Sequence, residues 1–363
     1  MKKFKIPAEH FAAVLCYHRI GDPYSGKEPI SDGLKVSPDL FEKTINYFLK
    51  NGYSFISLDE LSSYMSEEKM PHDNKNICLT FDDGYKDNLY DLLPIAEKYN
   101  IPFAVYVAAY APDGKLFTWW NTLEELLLNN DRLILSDGSV YECETMDKKW
   151  NSFWALREKV IAMAKGVELE EVFTKLFASY TFDLYHYSLE QYLNWKELKK
   201  LKASPLCTIA LHTCTHLALD VSSPEVIEKE MIESQKIMKQ HLGYVPRHFA
   251  YPFGAYDQKS LEIMKKFQPQ IKTFTTTDFG YVSTRTNKLL IPRIASIEQL
   301  LFNQYLFHWS DYKGKRFIKG LIKIKVSRKN VRCELFKILN MNVCCLKGYL
   351  GGCEFKFTIG EEK

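Results

Sequence analysis

The stretch 77–108 restricts the fold more than any other. "ICLTF" (77–81) is a short apolar run of strand type, residues 85–100 have helical spacing with Pro94 predicting a kink, and "IPFAVYVA" (101–108) is a second apolar run. Strand, helix and strand within about 30 residues form a right-handed crossover unit, which implies a parallel sheet. The alternation extends to both sides. "AAVLCYH" (12–18) reads as a buried strand and 19–36 as a loop. Residues 37–53 read as a helix, capped by Ser37, with Pro38 in its first turn and Gly52 at its end. The pattern resumes with a short helix at Trp195, a strand at 206–211 and a helix over 223–243. In that last helix Ser223 caps, Gly243 terminates, and Ile227, Met231, Met238 and Leu242 share a face. Strands at 248–252, 271–276 and 288–294 and a helix at 257–267 follow. Repeated β-then-α units predict an α/β barrel or a doubly wound sheet. Residues 112–194 break the alternation and read as an inserted α+β segment: a hairpin around Asp137-Gly138, then helices over about 147–164 and 168–179.

Composition narrows the class of function. A net charge of +3 is too small to argue for nucleic acid as a partner. The nine cysteines are odd in number and none forms a CxxC pair, which excludes a zinc-ribbon or thioredoxin-like reading and predicts a reducing, cytoplasmic setting. The apolar run near the N-terminus, 11–17, is short for a signal peptide, and no stretch reaches the length of a transmembrane helix.

Three polar clusters follow three of the predicted strands: Asp82-Asp83, His212/His216 in "HTCTH", and "YPFG" at 251–254. Strand ends on one rim are where α/β folds place their sites. Read alone, an aspartate pair is a turn or a helix cap. Two histidines four residues apart share one side of a helical turn. Together the clusters offer two nitrogens and one oxygen, and three protein ligands with one open position is the layout of a catalytic zinc site.

The segments "TFDDG", "HTCTH" and "FAYPFG" resemble the polysaccharide deacetylases related to the nodulation chitooligosaccharide deacetylase, carbohydrate esterase family 4, over about residues 12–110 and 195–297. The resemblance implies that Asp82 is a general base and that Asp83, His212 and His216 bind a divalent metal, zinc foremost, with cobalt, nickel or iron also compatible. It places an oxyanion-binding N–H at Phe253 and makes Tyr251, two residues earlier, a further candidate for oxyanion or substrate binding. The late histidine that usually serves the family as acid is missing from "KLLIPRI". "VLCYHRI" instead resembles the circularly permuted poly-N-acetylglucosamine deacetylase branch, which makes His18 the acid and the fold a distorted, circularly permuted (β/α) barrel. The arginine of the third motif is replaced by Ala250, and Arg247 or Arg293 is the candidate to take its place beside Asp82. The implied reaction is removal of N-acetyl groups from amino sugars of a surface polysaccharide, oligosaccharide or lipid-linked precursor. The alternative is a non-catalytic glycan-binding relative.

Other chemistries fit less well. An aspartyl phosphatase needs Asp-x-Asp, and position 84 is Gly. A 2-His-1-carboxylate iron site commonly has its acid two residues after the first histidine, where Cys214 stands. In the insertion, Trp119 and Trp120 of "LFTWW" are candidates to stack on a sugar ring. The deacetylase-like domain is expected to span 1–311, followed by a basic extension, 312–363. Lys313 to Arg332 holds nine Lys and Arg and no acid, and Phe317, Ile318, Leu321 and Ile322 fall on one helical face. That pattern predicts a peripheral contact with anionic lipid at the inner face of a membrane. The sequence says nothing of oligomeric state.

Overall fold

The structure, a computed structural model, describes residues 4–302 except 24–29, 68–70, 72, 165–168 and 296, and beyond them only four short strands. Two-residue periodicity decides how each strand is used. β1 (Ala12–Tyr17) sends Leu15 and Tyr17 outward against helices, while Val14 and Cys16 face inward. β2 (Arg19–Ile20) and β3 (Lys35–Val36) form a small parallel pair at its exit, joined by a 3-10 turn at Ser31–Leu34. α1 (Pro38–Lys50) starts where the Ser37 hydroxyl accepts the Leu40 N–H, as the sequence predicts. The short β4 (Ser54–Phe55) leads into α2 (Leu58–Met65), which opens with a Ser57/Glu60 capping box.

β5 (Asn76–Phe81) pairs in parallel with β1 across its whole length, and β6 (Phe103–Val107) lies on its other side. The connection between them is not the kinked α-helix expected. Asn88–Leu92 winds as a π-helical turn and only then tightens into α3 (Leu93–Tyr99). Pro94, which has no N–H to donate, is the second residue of α3.

The insertion contains one more long helix than the sequence delineated. α4 (Trp119–Asn129) precedes the hairpin β7 (Arg132–Ile134) and β8 (Val140–Glu142), then α5 (Met146–Met163), α6 (Leu169–Leu176) and the short α7 (His186–Gln191). These elements have their own core, which includes Leu123, Leu127, Phe153, Leu156 and Phe173.

The barrel resumes with α8 (Trp195–Ala203) and β9 (Cys207–Leu211), then α9 (Pro224–Leu242), β10 (His248–Ala250), α10 (Gln258–Lys265) and β11 (Thr273–Thr275). The strand order is β1-β5-β6-β9-β10-β11, all parallel. The expected last strand, 288–294, is an extended segment carrying isolated bridges. Its Ile291 pairs with Thr275 and its Ile294 with Leu15, so it joins β11 back to β1. The sheet thus curls on itself, and the strand that opens the chain lies beside the segment that ends the ring. α11 (Ile297–Phe302) follows.

Many inward positions are small or polar: Cys16, Thr80, Ala104, Ala210, Ala250 and Thr275 are fully buried. Outward positions such as Leu15, Leu79, Phe81, Val105, Ile209 and Phe274 are large and pack under helices. Burial of each such side chain contributes about 1.5–3 kcal/mol.

Contacts divide the chain into Met1–Gly314 and Lys315–Lys363. In the second unit, β12 (Ile324–Val326) pairs antiparallel with β13 (Val331–Cys333), and β14 (Lys347–Leu350) with β15 (Cys353–Lys356). The apolar face at Phe317, Ile318, Leu321 and Ile322 lies outside the described residues, and the basic stretch ends in a strand pair rather than a helix. Among the described residues no helix is long and apolar enough to cross a membrane.

Candidate active site

Asp82 continues the inward register of β5 two residues past Thr80, and its N–H donates to the Tyr17 carbonyl at 2.9 Å. The chain then turns sharply, with Asp83 at φ 76° and Gly84 at φ 79°. A β-carbon on Gly84 would stand 3.1 Å from the Val107 side chain, so the glycine of "TFDDG" serves a turn and a close approach together. Asp83 thereby points to the rim where β9 ends. His212 prolongs β9, its N–H donating to the Val107 carbonyl at 3.1 Å. The segment from 212 to 216 is not helical. Thr213 and His216 both have left-handed backbones, with φ 61° and 58°.

The three side chains meet. Asp83 Oδ1 lies 3.1 Å from His216 Nε2 and 3.4 Å from His212 Nε2, and all three residues are buried. Burial works against ionisation of Asp83, but the two histidines outweigh it and hold its carboxyl well below the usual carboxylate range. Burial lowers the His216 imidazole below its ordinary value despite the carboxylate beside it. His212 Nδ1 lies 2.9 Å from the Ala250 carbonyl. That bond puts a proton on Nδ1, so in the neutral ring the Nε2 lone pair is available to a cation.

Asp83 Oδ1 is a buried oxygen with no hydrogen-bond partner. Two imidazoles and one carboxylate converging in this way are short of a positive charge, which a cation supplies. The spacing suits one: bonds of about 2.1 Å at tetrahedral angles separate ligand atoms by about 3.4 Å. The donor set of two nitrogens and an oxygen fits zinc and its first-row neighbours.

Asp82 has a different partner. Arg293, from the segment that closes the ring, donates Nη1 to Oδ1 and Nη2 to Oδ2, each at 2.7 Å. Its Nε donates to the Thr276 carbonyl at 2.8 Å and its Nη1 also reaches Thr80 Oγ1 at 3.2 Å. Burial opposes the charge on Asp82, and the guanidinium more than offsets it, holding that carboxyl below its ordinary value. Arg247, the other candidate, is exposed and precedes β10, at the opposite end of the strands from Asp82.

The cleft over these groups is lined by His18, Leu34, Asp82, Asp83, Trp120, His212, His216, Phe253 and Thr277. His18 therefore stands on the same rim. Asn88, on the π-turn, donates to its carbonyl at 3.0 Å, and Asp87 accepts the Ile20 N–H and the Arg19 guanidinium, which fixes the segment carrying His18. Phe253 sits in a left-handed turn at φ 58°, its ring 4.3 Å from that of His216. Gly254, at φ 63°, leaves no room for a β-carbon, which would fall 1.9 Å from Thr277 Oγ1.

Tyr251 departs from expectation. It is one residue past the inward Ala250, so its side chain turns outward and packs with Phe249, Tyr256 and Phe274, away from the cleft. The two tryptophans also separate. Both are buried in the insertion core, but Trp120 also lines the cleft, its ring 5.0 Å from that of His216, and Trp119 is not among the cleft-lining residues. Sequence reasoning missed Leu34 and Thr277, which no motif marks, and the clamp by Asp87 and Asn88, which stand only four and five residues past Asp83.

Comparison with known proteins agrees with this geometry. Residues 167–271 match the family model described as polysaccharide deacetylase. A stretch of 94 residues, 26% of this chain, is 30% identical to the Bacillus subtilis (strain 168) protein named "Putative polysaccharide deacetylase YxkH". The match spans 30% of that relative's length. The Streptococcus pyogenes deacetylase PplD, solved with acetate, shares the fold with a TM-score of 0.53 at 23% identity, over 80% of this chain and 96% of that one. IcaB from Ammonifex degensii shares it with a TM-score of 0.50 at 18% identity, over 79% and 91%. Fold and site together define an α/β-barrel with a potential metal centre at one rim. Over residues 167–271 the chain is similar to the polysaccharide deacetylases.

Proposed function

We propose that the protein is a metal-dependent hydrolase that removes N-acetyl groups from amino sugars of a surface glycan or its lipid-linked precursor. Asp83, His212 and His216 would hold the cation, zinc by preference. When bound, such an ion polarises a carbonyl and lowers the pKa of a water. Asp82, kept ionised by Arg293, takes the proton from the attacking water as its oxygen bonds to the acetyl carbon. The Phe253 N–H donates to the oxyanion that develops. His18 gives its proton to the sugar nitrogen as the C–N bond breaks, because an amide nitrogen leaves poorly as an anion. Acetate and a free amino sugar result. Trp120 forms the wall against which the sugar lies. We place the protein on the cytoplasmic side, with the basic stretch 313–332 against anionic lipid.

One observation carries this reading: two histidines and two aspartates from distant strands converge on one rim, one aspartate facing the imidazoles and the other an arginine. The test is acetate release from N-acetylated oligosaccharides and lipid-linked sugars, with and without chelator. Chelation and Asp82→Asn should each abolish release, while the substituted protein still binds zinc. His18→Ala should lose most turnover and keep its metal. A wild-type protein that binds glycan and metal but releases no acetate is a binding relative, and the proposal fails.

A further inference from the structure

The two candidate histidine ligands are joined by a turn that is unfavourable on its own. Left-handed backbones at Thr213 and His216 each cost on the order of 1 kcal/mol for residues bearing a β-carbon. The turn is held from outside. On one side the chain just past β6 grips its carbonyls: the Ala109 N–H donates to Thr213 O at 2.9 Å and the Tyr110 N–H to Cys214 O at 3.1 Å. Within it, Thr213 Oγ1 accepts the Leu217 N–H at 3.0 Å.

On the other side stands Glu230 of α9. One carboxylate oxygen accepts the N–H groups of both Cys214 and Thr215, at 2.8 and 3.0 Å. The other accepts the Thr215 hydroxyl at 3.1 Å. Successive amides pointing at one anionic oxygen form a nest. α9 is a firm base for it, capped by Ser223, ended by Gly243 at φ 84°, and packed through the buried Ile227, Met231 and Met238.

We infer that Glu230 is a positioning residue of the metal centre: by clamping the amides of 214 and 215 it fixes the backbone of His216 and aims Nε2 at Asp83. This rests on the cation site proposed above. Glu230 touches no candidate ligand side chain, so it acts through the main chain.

The experiment measures zinc and cobalt affinity of the full chain by competition with a chromophoric chelator, together with the visible spectrum of the cobalt form. Circular dichroism checks that each apo-protein is folded. Glu230→Ala should weaken affinity about 10- to 100-fold, the range found when groups that orient metal ligands are removed, and should alter the cobalt spectrum. Glu230→Gln keeps the reach and an acceptor oxygen, and the Thr215 hydroxyl can rotate to accept from its amide. It should recover most of the affinity. Glu230→Asp keeps the charge but falls short, and should resemble Glu230→Ala.

If Glu230→Ala does not fold, the Gln and Asp variants alone decide. Wild-type affinity in Glu230→Asp with loss in Glu230→Gln would make the effect one of charge and overturn the inference. So would unchanged affinity and an unchanged cobalt spectrum in all three variants, which would leave the metal centre itself standing. Failure of the wild-type protein to bind either metal would instead remove the centre, and the inference with it.

Discussion

Asp82 and Asp83 are neighbours in the chain with opposite surroundings. One faces a guanidinium held by two parallel hydrogen bonds, the other two imidazoles. Removing Arg293 tests the first. Arg293→Met should cost about 3–5 kcal/mol in stability, the usual penalty for stranding one member of a buried ion pair. It should also raise the Asp82 pKa. A base must be ionised to work, so the acid limb of the pH–rate profile for acetate release should move to higher pH. A profile unmoved by the substitution would detach Arg293 from the reaction. The candidate ligands were legible in the sequence because they come in short motifs directly after strands. The partner of Asp82 was only half legible, since Arg293 lies 211 residues away and no local spacing links the two. Tyr251 was misread for a simpler reason: in a strand one step reverses the face, so its neighbour Ala250 points in and it points out.

At the scale of elements, the turns matter more than the regular structure. The sequence gives helix caps and strand runs clearly, because capping residues and apolar periods are local signals. It concealed the π-turn after Asp83 and the left-handed turn of "HTCTH", since their conformations are imposed by neighbouring elements. The loop at 252–254 can be tested directly. Gly254→Ala must either displace Thr277 or unwind the left-handed turn, and should lower stability by roughly 1–3 kcal/mol and turnover more than tenfold. Thermal unfolding with acetate-release kinetics would check it. The docking of α11 offers a pH test. Glu298 is fully buried, accepts the Tyr17 hydroxyl at 2.6 Å and the Thr44 hydroxyl at 3.2 Å, and burial raises its pKa to about 7. Its neutral form is favoured by folding. The contribution is therefore fully present below the ordinary glutamate value near 4.5 and is lost as pH rises through about 7. Glu298→Gln stays neutral throughout. Denaturant titrations from pH 5 to 8 should show the wild type losing up to about 3 kcal/mol relative to this variant.

Across the whole molecule, the strands supply the candidate ligands and the insertion supplies a wall. The barrel was legible because βα alternation is a global pattern carried by local signals. The contribution of the insertion was not, because only the register of α4 decides which tryptophan faces the cleft. The chain divides near Gly314. A protein ending there should keep zinc affinity and activity on soluble oligosaccharides within about twofold, and should lose binding to anionic vesicles in sedimentation assays. Equal vesicle binding by both forms would remove the membrane role of the basic stretch. The ring itself has a consequence for synthesis. The segment bearing Arg293 is the last piece of the ring to be synthesised, and it slots between β11 and β1. Until it emerges from the ribosome, Asp82 lacks its guanidinium partner and cannot be buried cheaply. A chain that stops before residue 293 should therefore be inert, and the proofreading of a complete barrel is built into the charge that the closing wall delivers.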